Sequence, residues 1–363
     1  MASWKQPRIV KAASSTSKRQ ADEDMFDSGL RDSDVNDMID YLQAFYLGMP
    51  VKRLQAPLQF STWTEESKPS KRKGQLMKAN MPIGLITGPE CIRIRTRPSL
   101  DGVFTHQLNL EDLLDVCISI LPSDAYALML LVDQDMFEDE DDDFCCGRAA
   151  GGSRVAVVST ARYNPLLDAQ QNIDRGHSWP ASHCEAYVDR VIASAGLETS
   201  APARNAAPNK RKRGGGTPSA GPAPTAKHSG GALRAAVEAS ARVVLPAQGG
   251  TAAGLRALLV GRASRTAAHE LAHCLGIDHC VGAAACVMQG SASICEDARQ
   301  PPYLCPVDLA KVLRATGASA RERDDALRRF CARWEGVAGA DMFVGLGAWL
   351  GSGLVDDGDV SSE

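Results

Sequence analysis

His269-Glu270-Leu271-Ala272-His273-Cys274-Leu275-Gly276-Ile277-Asp278-His279 decides how this chain of 363 residues is read. On an α-helix, positions i and i+4 lie one turn apart on the same face, so His269 and His273 offer both imidazoles to one metal ion. Glu270 sits beside them, where its carboxylate reaches a water at the metal rather than the metal itself. Gly276 supplies the positive φ that ends the helix sharply, and the returning chain brings His279 to a third side. Three neutral nitrogen donors leave one position of a tetrahedral zinc open, which separates catalytic sites from closed structural ones. The spacing therefore predicts metal-assisted hydrolysis with Glu270 as general base. A surface helix with incidental histidines would have to place three of only seven histidines in this pattern by chance.

The residues that follow extend the pattern. Cys280 comes directly after His279, Met288 stands within Cys286-Val287-Met288, and Cys305-Pro306-Val307-Asp308 lies further on. Together these resemble the long zinc signature of the metzincin peptidases, and the cysteines narrow the resemblance to the archaemetzincins. The likeness is specific over 262–313. A weaker likeness runs upstream through Leu121-Pro122-Ser123-Asp124-Ala125 and 154–160.

The resemblance implies an α+β fold: a metzincin-like zinc peptidase domain with a mixed sheet, an active-site helix and a C-terminal helical subdomain. It implies a catalytic zinc on His269, His273 and His279, with Glu270 as general base toward a metal-activated water. Met288 is expected to pack under the imidazoles without ligating. A second, structural zinc on four cysteines is also implied, and Cys280, Cys286 and Cys305 fill three of its positions. The sequence departs from the family pattern twice. Five residues separate Cys280 from Cys286, one more than the pattern has, and the fourth cysteine position is Asp308. A carboxylate can ligate zinc. The alternatives are that Asp308 completes the set, that Cys295 substitutes for it, or that the second site holds no metal.

Working outward, the chain reads as strands first and helices later. Ile92-Arg93-Ile94-Arg95 alternates as a half-buried strand, and 110–121 is a helix stopped by Pro122. Residues 125–132 and 154–160 are apolar and β-branched enough to be buried strands. Further helices are expected over 232–244, 262–275, 307–316 and 320–334. Residues 1–80 read as a polar, partly disordered extension with one short helix at 34–47, leaving 81–335 as the catalytic domain and 336–363 as a Gly-rich, acidic tail. Glu138-Asp139-Glu140-Asp141-Asp142-Asp143 is expected to be a solvated loop. The stretch 198–231, around Lys210-Arg211-Lys212-Arg213, has the composition of a disordered basic insertion.

Composition limits the function classes. A net charge of −4 and 44% hydrophobic residues give no global field to recruit nucleic acid, and the apolar runs are too short to span a membrane. Neither nucleic acid nor membrane is expected as a partner; a peptide or protein substrate is, acted on by a monomer in the cytoplasm or nucleus. An odd number of cysteines, eleven, cannot pair completely and suits a reducing compartment. His177 and His183 are expected in a loop away from the metal, and Cys91, Cys117, Cys274 and Cys331 in the core. The alternative reading is a zinc-stabilised interaction module with little catalysis.

Overall fold

The computed structural model describes residues 6–13, 29–54, 58–63, 81–183, 229–246, 250–281 and 285–353. At the centre lies β8 (Ala125–Val132), buried at every position except Tyr126. Side chains alternate across a strand, and here the two sets enter different cores. Ala127, Met129 and Leu131 join one, and Leu128, Leu130 and Val132 join the other. That double burial is why the sequence reads as a continuous apolar run rather than an alternation.

Parallel neighbours flank β8: β11 (Val155–Ser159) on one side and β1 (Gln6–Ala13) on the other. Antiparallel β10 (Gly147–Ala150) pairs with β11 and forms one edge of the sheet. Beyond β1 come β2 (Lys52–Arg53), β3 (Leu58–Thr62), β4 (Ile83–Thr87) and β5 (Glu90–Ile94), the last three antiparallel. The result is an eight-stranded mixed sheet. A three-stranded sheet of β6 (Thr96–Arg97), β7 (Gln107–Asn109) and β9 (Met136–Phe137) stands apart from it.

One core is closed by α2 (Leu110–Ile120), whose N-cap Asn109 side chain accepts from the Asp112 amide. Leu110, Leu113, Val116 and Cys117 form its buried stripe. The other core is organised around α4 (Ala252–Cys274), a helix buried on nearly all sides. Three of its arginines are buried, and an unpaired buried cation costs several kcal/mol. Each has a carboxylate: Arg256 meets Asp34 at 2.5 Å, Arg262 meets Asp168 at 2.7 Å, and Arg265 meets Asp297 at 2.8 Å. These pairs fix α4 to three separate parts of the chain.

One of those parts is α1 (Asp32–Phe45), and here the expectation that 1–80 is an extension outside the catalytic domain is corrected for the described residues. Val35, Met38, Tyr41, Leu42 and Phe45 are wholly or almost wholly buried in the same core as α4. The Tyr46 hydroxyl donates to the Ala268 carbonyl at 2.5 Å, one residue before His269. The helix itself is the one expected at 34–47; the polar composition of the segment hid that its apolar face is fully used.

The C-terminal end is corrected likewise. α8 (Asp341–Gly353) buries Phe343, Leu346 and Leu350 and packs on α3 (Ser229–Ser240) and α7 (Ala320–Ala332). Its glycines allow close approach to neighbours instead of marking a tail: a Cβ on Gly347 would stand 3.0 Å from Cys331 Cβ. Short α5 (Ile294–Arg299) and α6 (Pro306–Thr316) complete the helices. The basic run 210–213 lies outside the described residues, as do residues 354–363. The acidic run is largely exposed, with Arg97 donating to the Asp139 and Glu140 carbonyls at 3.0 and 2.8 Å. None of the ten described cysteines is in a disulfide, and no helix among the described residues is long and apolar enough to cross a membrane.

Candidate active site

The last turns of α4 carry His269, Glu270 and His273. The helix ends in a Schellman turn: the Ile277 amide donates to the Ala272 carbonyl at 3.1 Å, and the Gly276 amide to the His273 carbonyl at 2.9 Å. Gly276 takes φ +78°, as the sequence requires. This reversal does more than stop the helix. It returns the Ile277 carbonyl to 2.7 Å from His273 Nδ1, while the Val287 carbonyl stands 2.7 Å from His269 Nδ1.

Those two bonds fix the tautomers. A neutral imidazole has one N–H, and in both rings it is donated from Nδ1 to a carbonyl. The Nε2 lone pairs of His269 and His273 then face each other at 3.1 Å, with His279 Nε2 3.2 Å from that of His269. Lone pairs at that distance repel unless a cation stands among them. Zinc–nitrogen bonds of 2.0–2.1 Å in a tetrahedron put the nitrogens roughly 3.3–3.4 Å apart, so the donor set fits the ion. Burial pushes His269 down to about 4 and lowers His273 as well, which keeps both rings in the neutral form that could ligate a metal. His279 is exposed and forms the open side of the set.

Glu270 is 5% exposed and has no hydrogen bond or ion pair among the described residues. Burial pushes its carboxyl up to about 8; Arg148 opposes the shift, and Asp297 and Glu138 add to it. Its carboxylate and the three imidazoles line a cleft of about 1190 Å³, with Cys145, Arg148, Asp278 and Cys295 also on the walls. Edge strand β10 forms one side.

The cysteines meet on the other side of the histidine-bearing turn. Cys280 Sγ lies 3.8 Å from Cys305 Sγ, too far for a disulfide. Asp308 Oδ2 is 3.5 Å from Cys286 Sγ and 3.4 Å from Cys305 Sγ. All four donor atoms fall within 4.8 Å of one another. Tetrahedral zinc with the usual bond lengths separates two sulfurs by about 3.8 Å, and a sulfur from an oxygen by about 3.6 Å. These donors also fit. Amides of Cys305 and Met288 donate to Cys286 Sγ at 3.2 and 3.4 Å, the kind of support a thiolate needs.

Asp308 reaches the cluster because Cys305 is the N-cap of α6 and Pro306 its first residue, so positions 305 and 308 share one face. Lys311 Nζ holds the other carboxylate oxygen at 2.8 Å. Burial works to raise the Asp308 carboxyl, but the hydrogen bonds from Lys311 and the two thiols prevail and hold it below its ordinary value. Cys295 is not brought to this cluster. Its thiol donates to the Gln171 and Asn172 carbonyls at 3.3 and 3.4 Å on the cleft wall.

The remaining expectations divide cleanly. Met288 is fully buried, and its carbonyl accepts from the Cys280 amide at 2.7 Å, tying together the segments that carry the histidine and cysteine clusters. Cys117, Cys274 and Cys331 are buried in the core, whereas Cys91 is half-buried. His177 and His183 sit on short 3-10 turns and do not line the cleft. Sequence reasoning missed the Ile277 and Val287 carbonyls, because a backbone acceptor carries no residue signal. It also missed Gly147, against which Glu270 packs.

Two curated relatives show where the likeness lies. The chain is 41% identical over 76 residues to Archaemetzincin-2 of Macaca fascicularis and, over the same length, to Archaemetzincin-2 of Homo sapiens; each match takes in 21% of this chain and 21% of the relative. The chain thus matches about a fifth of the length of these relatives, which are archaemetzincins, the family that the motif resembles. Among solved structures, an archaemetzincin from Methanopyrus kandleri is 16% identical, with a TM-score of 0.39 over 86% of this chain and 97% of that one. A zinc-dependent peptidase from Methanocorpusculum labreanum is 14% identical, with a TM-score of 0.39 over 84% and 99%. No family model matches the chain.

Proposed function

We propose that this chain is a zinc-dependent peptidase whose catalytic metal is held by His269, His273 and His279, with Glu270 as general base. One observation carries the reading. Both Nδ1–H groups of the helix pair are committed to carbonyls, so Nε2 lone pairs at 3.1 Å converge on a point that only a cation makes stable. Zinc there supplies Lewis-acid activation of water and of the scissile carbonyl.

The protein's own part is to orient the imidazoles and to manage a proton. The Ile277 and Val287 carbonyls set the plane and tautomer of two rings before any metal arrives. Glu270 takes up a proton on its carboxylate and delivers it to the leaving nitrogen. Burial favours the protonated form and so suits it to holding that proton between the two transfers. Placement one residue after His269 keeps the carboxylate on the cleft wall without making it a fourth ligand.

A second zinc belongs on Cys280, Cys286, Cys305 and Asp308. Its role is structural: it joins the segment after His279 to the start of α6, which steadies both His279 and the turn containing Val287 and Met288. Peptides, or unstructured segments of proteins, are the substrates that suit an open cleft of this size.

The test uses zinc-loaded protein with a quenched fluorescent peptide library, beside Glu270→Ala at equal zinc content. Cleavage by the wild type that falls about 10²-fold or more in the variant is expected. Equal cleavage by both, or none by either, rejects the peptidase reading and leaves a zinc-stabilised interaction module.

A further inference from the structure

Gly147 lies on edge strand β10, directly opposite Glu270. Its φ is not in the left-handed region, so any residue could adopt this backbone. What the position requires is the missing side chain. A Cβ at Gly147 would stand 2.8 Å from Glu270 Oε1, 3.1 Å from Glu270 Cγ and 2.9 Å from Thr266 Cγ2. Contacts that short force something to move.

The two neighbours differ in freedom. Thr266 is held in place: its Oγ1 bonds the Tyr163 hydroxyl at 2.6 Å and donates to the Arg262 carbonyl at 3.3 Å, both buried. Rotating its methyl group away breaks a buried hydrogen bond. Glu270, one turn further along α4, has no hydrogen bond among the described residues to hold its carboxylate. The backbone of Gly147 is therefore the surface that keeps that carboxylate in place. We propose that Gly147 is a positioning residue, whose bare backbone fixes where the Glu270 carboxylate sits in the cleft. The inference rests on the reading of Glu270 as general base. Gly290 is a milder instance in the same site, since a Cβ there would meet the His279 ring at 3.4 Å.

The experiment compares the wild type, Thr266→Ser, Gly147→Ala, Gly147→Ala with Thr266→Ser, and each of these with Glu270→Ala. Zinc content, unfolding midpoint, kcat and KM are measured on the zinc-loaded full chain. Thr266→Ser keeps the hydroxyl bonded to Tyr163 and removes the methyl group, so the double variant folds even if Gly147→Ala alone does not. In the double variant kcat is expected to fall about 10²-fold, the loss typical of a reacting group displaced by about 1 Å. KM and zinc content should stay within twofold. In the Thr266→Ser background, where the methyl contact is already removed, the drop in unfolding midpoint caused by Gly147→Ala should shrink by at least half when Glu270 is also replaced by Ala, because the remaining clash is with Glu270.

A kcat within threefold of wild type, or activity lost in proportion to zinc, overturns the proposal. So do midpoint shifts that simply add, because they would mean the two residues do not touch. If the wild type cleaves no peptide, the general-base reading fails by itself, and the coupling between midpoints then decides whether Gly147 sets the Glu270 position.

Discussion

Replacing Asp308 by Ala should selectively weaken the proposed second metal site. The carboxylate is 3% exposed and its Oδ2 faces two sulfurs at 3.4 and 3.5 Å, so its removal deletes one of four donors without opening a route for another side chain. Structural zinc sites contribute about 10–16 kcal/mol of apparent binding free energy, so one donor in four carries roughly 3 kcal/mol. That corresponds to about 10²-fold in affinity. Little else is disturbed: Lys311, the partner of Asp308, is half-exposed and returns to water without being buried unpaired. The assay is a zinc competition titration against a chromophoric chelator, with circular dichroism to confirm that the fold persists. Two binding steps are expected in the wild type, and only the one that survives His273→Ala should weaken in Asp308→Ala. Asp308→Cys restores the fourth thiolate and should bind at least as tightly as the wild type. If the step is unmoved in Asp308→Ala, or if the step that moves is the one His273→Ala abolishes, then Asp308 is not a ligand of a second metal.

Two further perturbations test the fold around the site. Burial pushes the Asp341 carboxyl from 3.8 up to about 6, against the opposing field of Arg262 and Arg265. A folded value above the unfolded one favours the native state below both values, and that advantage is lost as pH rises through 6, a difference of about 3 kcal/mol. Asp341→Asn should therefore be more stable than the wild type at pH 7.5 by up to that amount. The gain should shrink between pH 6 and 4 in urea unfolding, and a gain independent of pH would contradict the argument. Met38→Ala, at a position with no exposed surface in α1, should cost about 2–5 kcal/mol in the same assay. A cost near zero would mean that 32–45 does not share the cooperative unit of α4.

How far the sequence could be read depended on whether the determining interaction was local. The helix bearing His269 and His273, its stop at Gly276, and strands 125–132 and 155–159 follow from spacing and propensity within a dozen residues. The burial of α1, though not its helix, and the existence of α8 were misread for a common reason. Their sequences are polar or glycine-rich on average, and the stripe that buries Val35, Met38 and Leu42, or Phe343 and Leu346, has meaning only once a partner surface exists. Cys295 was a candidate because sequence counts thiols. It is excluded from the cluster because its helix faces the Gln171 and Asn172 carbonyls.

By itself, the sequence determined the donor types and their order: three imidazoles, a glutamate between the first two, three thiols and an aspartate three residues after the last. Periodicity on one helix is enough to aim two of those imidazoles together. Only the tertiary structure decided which tautomer each ring takes, because that depends on the Ile277 and Val287 carbonyls, which no residue identity announces. It also decided that Asp308, rather than Cys295, stands with the thiols, and that Glu270 rests against Gly147. Val287 at His269, Asp308 at Cys286 and Gly147 at Glu270 bring together chain segments 18 or more residues apart, and close packing sets them within contact of a shared point.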